Sequence, residues 1–405
     1  MEGKARDLTV LAAFALFFFL YFHLRPLHED SSSFDDLLWE NERTRDERPR
    51  DDNVDPFDGN APANETLGFG AIVAVAKQDS KRKKGLLEAA KATELQITIP
   101  DQPKWTDEDI EALKDPEYSI VSKGSAMAWL GHLNAVQWFL DSNLTTALII
   151  EDDVDWDIHI RYHQIPLVAA QMRSLLAANP ASPRDQFSAI REHNKEQSYW
   201  GDMTQWEVLY LGHCGDNFDL KYWPDLPHNI FKDNTVPRFD QLHPDTQRWL
   251  WEAGIGNKQR MVHKSKQPLC SFAYALNRRS AQRMLAELSH EEWGHGTWSF
   301  DVRLLEACRD LGWKCWTANP ELFHHQDEHD SAITEVNGKP LFELQPKYGD
   351  GSTPNIGCGA RNAWFSTTDP QKLKLIRQIA MYEDVCTLED LQDRMSQHEF
   401  KKDPL

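Results

Sequence analysis

Apolar and polar residues alternate in blocks along the chain, and the first blocks predict a strand, a helix and a second strand. Gly70–Ala76 is a short apolar run, which is typical of a buried strand. Ser80–Thr93 has the pattern of a helix, with Ser80 as its N-cap. Leu95–Ile99 alternates like a second strand. This order and spacing predict the start of a βαβ unit.

The next block repeats the pattern more clearly. Apolar residues recur at i, i+4, i+7 and i+11 from Trp129 to Leu140, which predicts a helix with one apolar face. Ser125 is the expected N-cap of this helix. A short turn leads into Ala147–Ile150, a fully apolar run that ends in a series of carboxylates. The second block therefore predicts a helix followed by a buried strand.

Similar alternation continues to the C-terminus. The predicted strands and helices of this part are Glu207–Leu211, Cys270–Leu276 and Trp313–Thr317 as strands, and Arg279–Leu288, Asp301–Leu311, Gln371–Val385 and Leu388–Met395 as helices. Strands that alternate with helices predict an α/β fold with a mostly parallel sheet and flanking helices.

An apolar segment near the N-terminus, Leu8–Leu24, predicts a membrane anchor. Seventeen helical residues span roughly 25 Å, which suits a thin bilayer or a span with flanking anchors. A cleaved secretory signal is the alternative, but Arg25–His28 offers no small-x-small cleavage site. Lys4 and Arg6 precede the segment and carboxylates follow it. The positive-inside rule then predicts a single-pass type II protein with everything after residue 25 in the lumen of the Golgi or ER.

Composition divides the chain into four parts. Glu29–Glu65 contains thirteen Asp and Glu against four Arg and has no sustained apolar period. We therefore expect a cytosolic tail with a transmembrane anchor (residues 1–25), an acidic disordered stem (26–66), a globular domain (67–365) and a helical C-terminal extension (366–405). Fifteen Trp and a 40% hydrophobic content indicate a substantial core.

Charge and cysteine content narrow the possible functions. The net charge of −20 comes with no basic stripe, which excludes a nucleic-acid-binding protein. A luminal domain would hold its six cysteines in an oxidising compartment, where they allow three disulfides in any of fifteen connectivities. None has the CxxC spacing of a zinc site. The sequons at Asn64 and Asn143 fit a luminal protein.

The densest chemistry of the chain is Glu151–Asp157, five carboxylates in seven residues directly after a predicted strand. Ligand sites of open α/β sheets lie outside the carboxyl ends of strands. Carboxylates this close repel each other unless a cation compensates them, and a hard divalent ion with oxygen ligands is suited to that. The alternative is a solvated acidic turn. The segment thus predicts a divalent metal site, Mn²⁺ being the expected ion.

Residues around this segment resemble the central motif of family 25 glycosyltransferases, which include bacterial lipooligosaccharide and animal procollagen galactosyltransferases. The motif is carried by Gly124–Ala135 and Ala147–Asp157, and the Trp-Asp ending is most similar to the fungal branch. Further blocks resemble the family in order: Gly68–Ala76, Trp206–Gly215, Arg260–Leu276, Phe300–Val302 and Pro320–His325. The likeness covers about residues 68–365 and implies a GT-A-like fold.

This resemblance implies roles for the acidic residues. Asp153 is the first metal ligand and a catalytic residue, Asp152 is a second metal ligand that also faces the donor, and Glu151 contacts the donor's ribose or base. His324 and His325 would complete the metal shell, although a pair of surface histidines is the plainer interpretation.

The remaining assignments concern the donor and the acceptor. By resemblance, Arg82 clamps the donor diphosphate; by spacing alone it is a solvated helix residue. His213 follows a strand end, where a donor contact is expected. Asp301 begins a helix, so it is either the general base for the acceptor hydroxyl or a residue that stabilises the helix N-terminus.

Together these features predict a metal-dependent glycosyltransferase, a hexosyltransferase that moves a sugar, galactose among the candidates, from a UDP-linked nucleotide-sugar donor to a glycan or glycoprotein hydroxyl. Two alternatives stay open. A glycoside hydrolase needs two carboxylates across a sugar ring, and Asp153 with Asp301 resembles such a pair. An inactive luminal carbohydrate-binding protein would share the fold.

Overall fold

The computed structural model describes residues 61–179, 199–216, 218–326, 335–336, 339–340, 353–383, 386 and 394–395. The chain divides into two units, Met1–Pro56 and Phe57–Leu405, and all described residues belong to the second. The predicted anchor, nearly all of the predicted stem and most of the predicted helix Leu388–Met395 lie outside the described residues. Within those residues, no helix has both the length and the apolar character needed to cross a bilayer.

The strands are short, and those in the middle of the sheet are buried along almost their whole length. In chain order they are β1 (Ala71–Val75), β2 (Ile97–Thr98), β3 (Thr146–Glu151), β4 (Val154–Trp156), β5 (Val208–Gly212), β6 (His228–Lys232), β7 (Gln259–Lys264), β8 (Ala273–Asn277), β9 (Cys315–Asn319), β10 (Phe323–His325), β11 (Glu335–Val336) and β12 (Lys339–Pro340).

Helices lie between many of these strands. The α-helices are α1 (Arg82–Thr93), α2 (Asp107–Leu113), α3 (Lys123–Asp141), α4 (Ile165–Ala178), α5 (Pro244–Glu252), α6 (Arg278–Glu287), α7 (Phe300–Arg309) and α8 (Pro370–Glu383). Shorter helical turns are Ile160–Gln164, Leu220–Asp225, Phe239–Gln241 and Ala363–Ser366.

The main sheet has the strand order β2-β1-β3-β8-β5-β9-β7-β6, and β10 pairs with both β4 and β5. The α/β class with flanking helices is confirmed. The sheet itself is mixed. β1 is parallel to β2 and β3, and β5 is parallel to β9, whereas β8 and β7 run antiparallel to their neighbours. The predicted mostly parallel sheet is therefore correct only in part, because connections around β7 and β8 reverse the chain direction.

Helices cover both faces of the sheet, which explains why its central strands are buried almost throughout and have apolar residues at consecutive positions. In β3, Leu148 and Ile150 pack into one core together with α1 and α4. Ala147 and Ile149 face the opposite core with α3, α6 and α7. A strand that is buried on both faces needs apolar residues at every position rather than at every second one.

The N-cap residues of two helices differ from those that the sequence pattern predicted. The predicted cap Ser125 lies inside α3, and the side chain of Ser122 accepts the N–H of Ser125 instead. The predicted cap Ser80 precedes Lys81, which occupies the N-cap position of α1 without a side-chain bond.

All six cysteines are paired, as Cys214–Cys270, Cys308–Cys315 and Cys358–Cys386. The three bonds that the even count allowed are therefore present. The first bond ties the loop after β5 to the residues before β8, and the third fastens Cys358 to the C-terminal part of the chain.

Candidate active site

Three chain segments meet at one edge of the sheet. β1 and β3 are adjacent and parallel, so the residues that follow them lie at the same edge. Arg82 begins α1 after β1, and Glu151 ends β3. The antiparallel strand β8 starts here, since Glu151 N–H donates to the Phe272 carbonyl at 3.0 Å. The topology therefore gathers residues that are far apart in sequence.

Arg82 bridges two carboxylates of the acidic segment. Its Nη1 lies 2.5 Å from Asp153 Oδ2, and its Nε lies 3.3 Å from Asp152 Oδ1. The other oxygen of each carboxylate, Asp152 Oδ2 and Asp153 Oδ1, is buried and has no hydrogen-bond partner. Buried polar atoms without a partner are rare in folded proteins. These two oxygens are therefore the atoms of this edge at which a bound cation or hydrogen-bond donor is most expected.

The pKa of Asp153 is also consistent with a positively charged ligand at these oxygens. Burial raises the pKa of Asp153 to about 7, the charges of Glu151 and Asp152 add to the rise, and Arg82 opposes it. One guanidinium thus faces three carboxylates. A divalent cation at the unpartnered oxygens would offset the remaining negative charge.

Glu151 is held by a separate group of residues. Its Oε1 accepts the Ser271 hydroxyl at 2.7 Å and lies 3.6 Å from His132 Nε2. His132 Nδ1 is 3.1 Å from the Tyr274 hydroxyl, and its ring stacks on Phe300 at 4.6 Å. Burial raises the pKa of Glu151, but His132, Ser271 and the charge of His325 outweigh it and the pKa is lowered. Glu151 is therefore ionised and oriented.

The last two carboxylates of the acidic segment, Asp155 and Asp157, accept hydrogen bonds from a distant part of the chain. Asp155 accepts the Thr353 hydroxyl at 2.8 Å and the Arg361 N–H at 3.0 Å. Asp157 accepts the Cys358 N–H at 2.8 Å. We call residues 353–361 the closing segment. Asp155 and Asp157 are buried and hold this segment against β4, so they are not available to a metal.

The closing segment brings Arg361 to the site, a residue that sequence reasoning missed. Its Nη2 donates to the Asp152 carbonyl at 2.6 Å and to the Arg82 carbonyl at 3.2 Å. Arg361 therefore joins the main chains of the two segments that carry the Arg82–Asp152 ion pair. It follows Asp152 by 209 residues, and no local motif indicates the contact.

His324 faces away from the carboxylates that it was expected to join. Its Nδ1–H donates to the His325 carbonyl at 3.0 Å, and its Nε2 lies 3.6 Å from Glu321 Oε1. Burial lowers the pKa of His324 well below its ordinary value, so the ring is neutral. Burial also raises the pKa of Glu321 to about 7. Glu321 Oε1 accepts the side-chain amide of Asn355 at 2.8 Å.

His325 lies closer to the acidic turn. It pairs in register with Val154 across β10 and β4, and the next residue, Gln326, donates its N–H to the Asp153 carbonyl at 3.0 Å. Its ring lies 4.5 Å from that of Phe272. Even so, the described residues contain no cluster of three or more His, Cys, Asp or Glu side chains arranged to hold a metal.

His213 is fully buried and is used by the main chain. Its Nε2–H donates to the Ala318 carbonyl at 3.0 Å, and its Nδ1 accepts the Gly215 N–H at 2.9 Å. Burial lowers its pKa to about 4, so the ring is neutral. Both ring nitrogens are therefore engaged inside the protein, and the expected donor contact finds no support in this geometry.

Asp301 lies beside the group that holds Glu151. It is in the first turn of α7, where its carboxylate accepts the Ser299 hydroxyl and, at 3.2 Å, the Cys270 N–H. The residue after Cys270 is Ser271, the partner of Glu151. Asp301 is thus linked to the edge through the start of β8.

Asp152 and Asp153 fit a hard divalent ion, since each offers one buried carboxylate oxygen without a partner. Ions such as Mg²⁺ are often held by one or two carboxylates together with the phosphates of a substrate, rather than by a complete protein cage. Two protein ligands are therefore sufficient for a metal that arrives with a diphosphate. No protein-family model and no curated protein matches this chain.

Proposed function

We propose that the protein is a metal-dependent glycosyltransferase of GT-A-like architecture. It transfers a hexose from a UDP-linked nucleotide-sugar donor to a hydroxyl of a glycan or glycoprotein. The observation that carries this proposal is the pair of unpartnered buried oxygens on Asp152 and Asp153, with Arg82 beside them at the carboxyl edge of β1 and β3.

The charge pattern of the edge suits a nucleoside diphosphate bound with a cation. Three carboxylates alone would repel a phosphate, and Arg82 alone offsets only one of them. A divalent ion on Asp152 and Asp153 would neutralise the local negative charge, and Arg82 could then turn its guanidinium to a phosphate oxygen. Such an ion acts as a Lewis acid that stabilises the departing diphosphate.

The protein's own groups then have distinct tasks. Glu151 is ionised and fixed by Ser271 and His132, so it can accept hydrogen bonds from the ribose hydroxyls of the donor. Asp301, on the side of the start of β8, takes the proton of the acceptor hydroxyl as that oxygen attacks the sugar. Arg361 keeps the Asp152 main chain fixed against α1.

We propose further that the catalytic domain is luminal, held at the Golgi or ER membrane by Leu8–Leu24 as a type II anchor. The three disulfides support an oxidising compartment, because such bonds persist there and are rare in the cytosol. Recovery of a mature N-terminus between residues 25 and 35 would instead identify a cleaved signal.

A donor panel tests the proposed reaction. The full-length chain is incubated with UDP-sugars, and released UDP is measured with Mn²⁺ and with a chelator. Asp153→Asn should abolish release while the fold stays intact, because it keeps the shape of the side chain and removes a ligand charge and not a core contact. Asp141→Asn, the same change at the exposed end of α3, is the matched control and should behave as wild type.

Each outcome has a distinct meaning. Wild-type activity in Asp153→Asn would remove the acidic turn from the mechanism. Hydrolysis of glycosides without consumption of any nucleotide sugar would identify a hydrolase. Glycan binding without either reaction would identify a carbohydrate-binding protein.

A further inference from the structure

Two surface loops beside the candidate site, residues 114–121 and 289–299, are locked together by one buried carboxylate. Glu291 is fully buried and accepts the main-chain N–H groups of Asp115 at 2.9 Å, Ile120 at 3.1 Å and Thr297 at 2.9 Å. Asp115 in turn accepts the N–H of Gly294 at 2.5 Å. Because these bonds cross between the loops, the loops form one body.

This body presents large aromatic side chains to solvent. Trp298 is 58% exposed, Trp293 is 51% exposed and Tyr118 is 53% exposed. Trp298 is the most exposed tryptophan of the described part of the chain. A mobile loop could turn such side chains inward, but the hydrogen bonds of Glu291 hold the loops in place. Exposed apolar groups on a fixed surface mark binding sites.

Hydrogen bonds of sequence neighbours connect the loop of Trp298 to the candidate site. The neighbouring residue, Ser299, donates its hydroxyl to Asp301. Asp301 accepts the Cys270 N–H, and Ser271, next in sequence, donates to Glu151. The loop that carries Trp298 therefore adjoins Asp301 and, through the start of β8, the residues that hold Glu151.

We propose that a neutral pyranose ring of the acceptor stacks on Trp298, and that Tyr118 and Trp293, whose ring stacks on His290 at 4.2 Å, extend the same surface. This inference rests on the proposed function and makes the acceptor a glycan rather than a bare polypeptide. Aromatic faces provide apolar contact area without requiring charge on the ligand. The two loops contain one Lys against four Asp and Glu, which disfavours phosphates and anionic lipid.

The test compares Trp298→Ala with Trp251→Ala, a variant of another exposed tryptophan that lies on α5. Both are made in the full-length chain. Two readouts are measured: Mn²⁺-dependent hydrolysis of the UDP-sugar without acceptor, and binding of neutral di- and trisaccharides by saturation-transfer NMR. Loss of one stacked ring should weaken oligosaccharide binding about tenfold in Trp298→Ala, which is about 1.4 kcal/mol. Donor hydrolysis should stay at the wild-type rate.

Trp251→Ala should match wild type in both readouts, and Trp298→Phe should restore most of the binding. Equal binding by wild type and Trp298→Ala, or no saturable binding of any neutral oligosaccharide, overturns the inference. Binding only to vesicles of phosphatidylcholine with 20% phosphatidylserine, added as a third probe, also overturns it and identifies a lipid surface. Absence of donor hydrolysis in wild type counts against the proposed function alone, because the binding readout does not depend on it.

Discussion

Arg82→Gln should bind Mn²⁺ more tightly than wild type and yet turn over the donor more slowly. In the structure Arg82 occupies one oxygen of Asp153 and one of Asp152, the same carboxylates that we assign to the metal. The cation and the guanidinium therefore repel each other across shared ligands. Glutamine keeps a polar, though shorter, side chain and removes the charge.

The size of this effect follows from Coulomb's law. A divalent ion and a guanidinium about 5 Å apart repel by about 1.7 kcal/mol even at the dielectric constant of water. The Arg82 side chain is 22% exposed, so the effective dielectric is lower and this figure is a lower bound. Since 1.4 kcal/mol is tenfold, Mn²⁺ affinity should rise by at least about tenfold.

Mn²⁺ affinity should depend on pH through the protonation of Asp153. Its carboxyl has a pKa of about 7 with Arg82 present, and removal of Arg82 raises that pKa further because Arg82 lowers it. A proton competes with the metal, so affinity falls as the pH drops through this range. The gain in Arg82→Gln should be largest at pH 8.5 and smaller at pH 6.

Isothermal titration with Mn²⁺ at both pH values, beside UDP release, measures the two effects. Lys84→Gln is the matched control, because it removes one positive charge from an 84% exposed position of the same helix. Equal or weaker Mn²⁺ affinity in Arg82→Gln at pH 8.5 would refute the assignment of shared ligands.

Asp301→Asn should lower kcat about 10²–10⁴-fold if the carboxylate is the general base. An unchanged kcat and melting temperature would make it a helix-terminal residue, because Asn serves there nearly as well. Asp233→Ala leaves the buried Arg260 without its partner at 2.7 Å and should cost about 3–5 kcal/mol in urea unfolding. Asp240→Ala, in an exposed ion pair, should cost less than about 1 kcal/mol. Burial raises the pKa of Glu321 from 4.5 to about 7, so Glu321 should contribute a negative slope to the free energy of unfolding as pH rises between these values and no slope above them. Glu321→Gln should remove that slope, and parallel pH profiles would contradict the assignment.

Sequence patterns predicted the parts of the fold that depend on local periodicity. β1 and β3 follow from apolar runs that need burial on both faces, and α1 and α3 follow from helical spacing. Helix starts were less accurate, because several serines near the start of α3 can cap it and only packing selects Ser122. The direction of β8 was not predictable, since the loops that precede it carry no signal for reversal.

In the candidate site, too, some features could be predicted from the sequence and others could not. Arg82, Asp152 and Asp153 meet because the two βα connections of adjacent parallel strands end at one edge, and this follows from topology. The orientation of His324 depends on burial beside Glu321, which the sequence does not encode locally.

Because the closing segment is far from the acidic turn in sequence, the site can be completed only late in synthesis of the chain. Thr353 follows its partner Asp155 by 198 residues, and Cys358 follows its partner Asp157 by 201. During synthesis from the N-terminus, the acidic turn leaves the ribosome long before the groups that donate hydrogen bonds to its last two carboxylates. A chain shortened before residue 353 would keep every acidic residue of the motif and still lack the contacts that hold the turn in place. Completion of the C-terminal region, with its Cys358–Cys386 bond, is therefore the step at which the translated chain acquires a complete site.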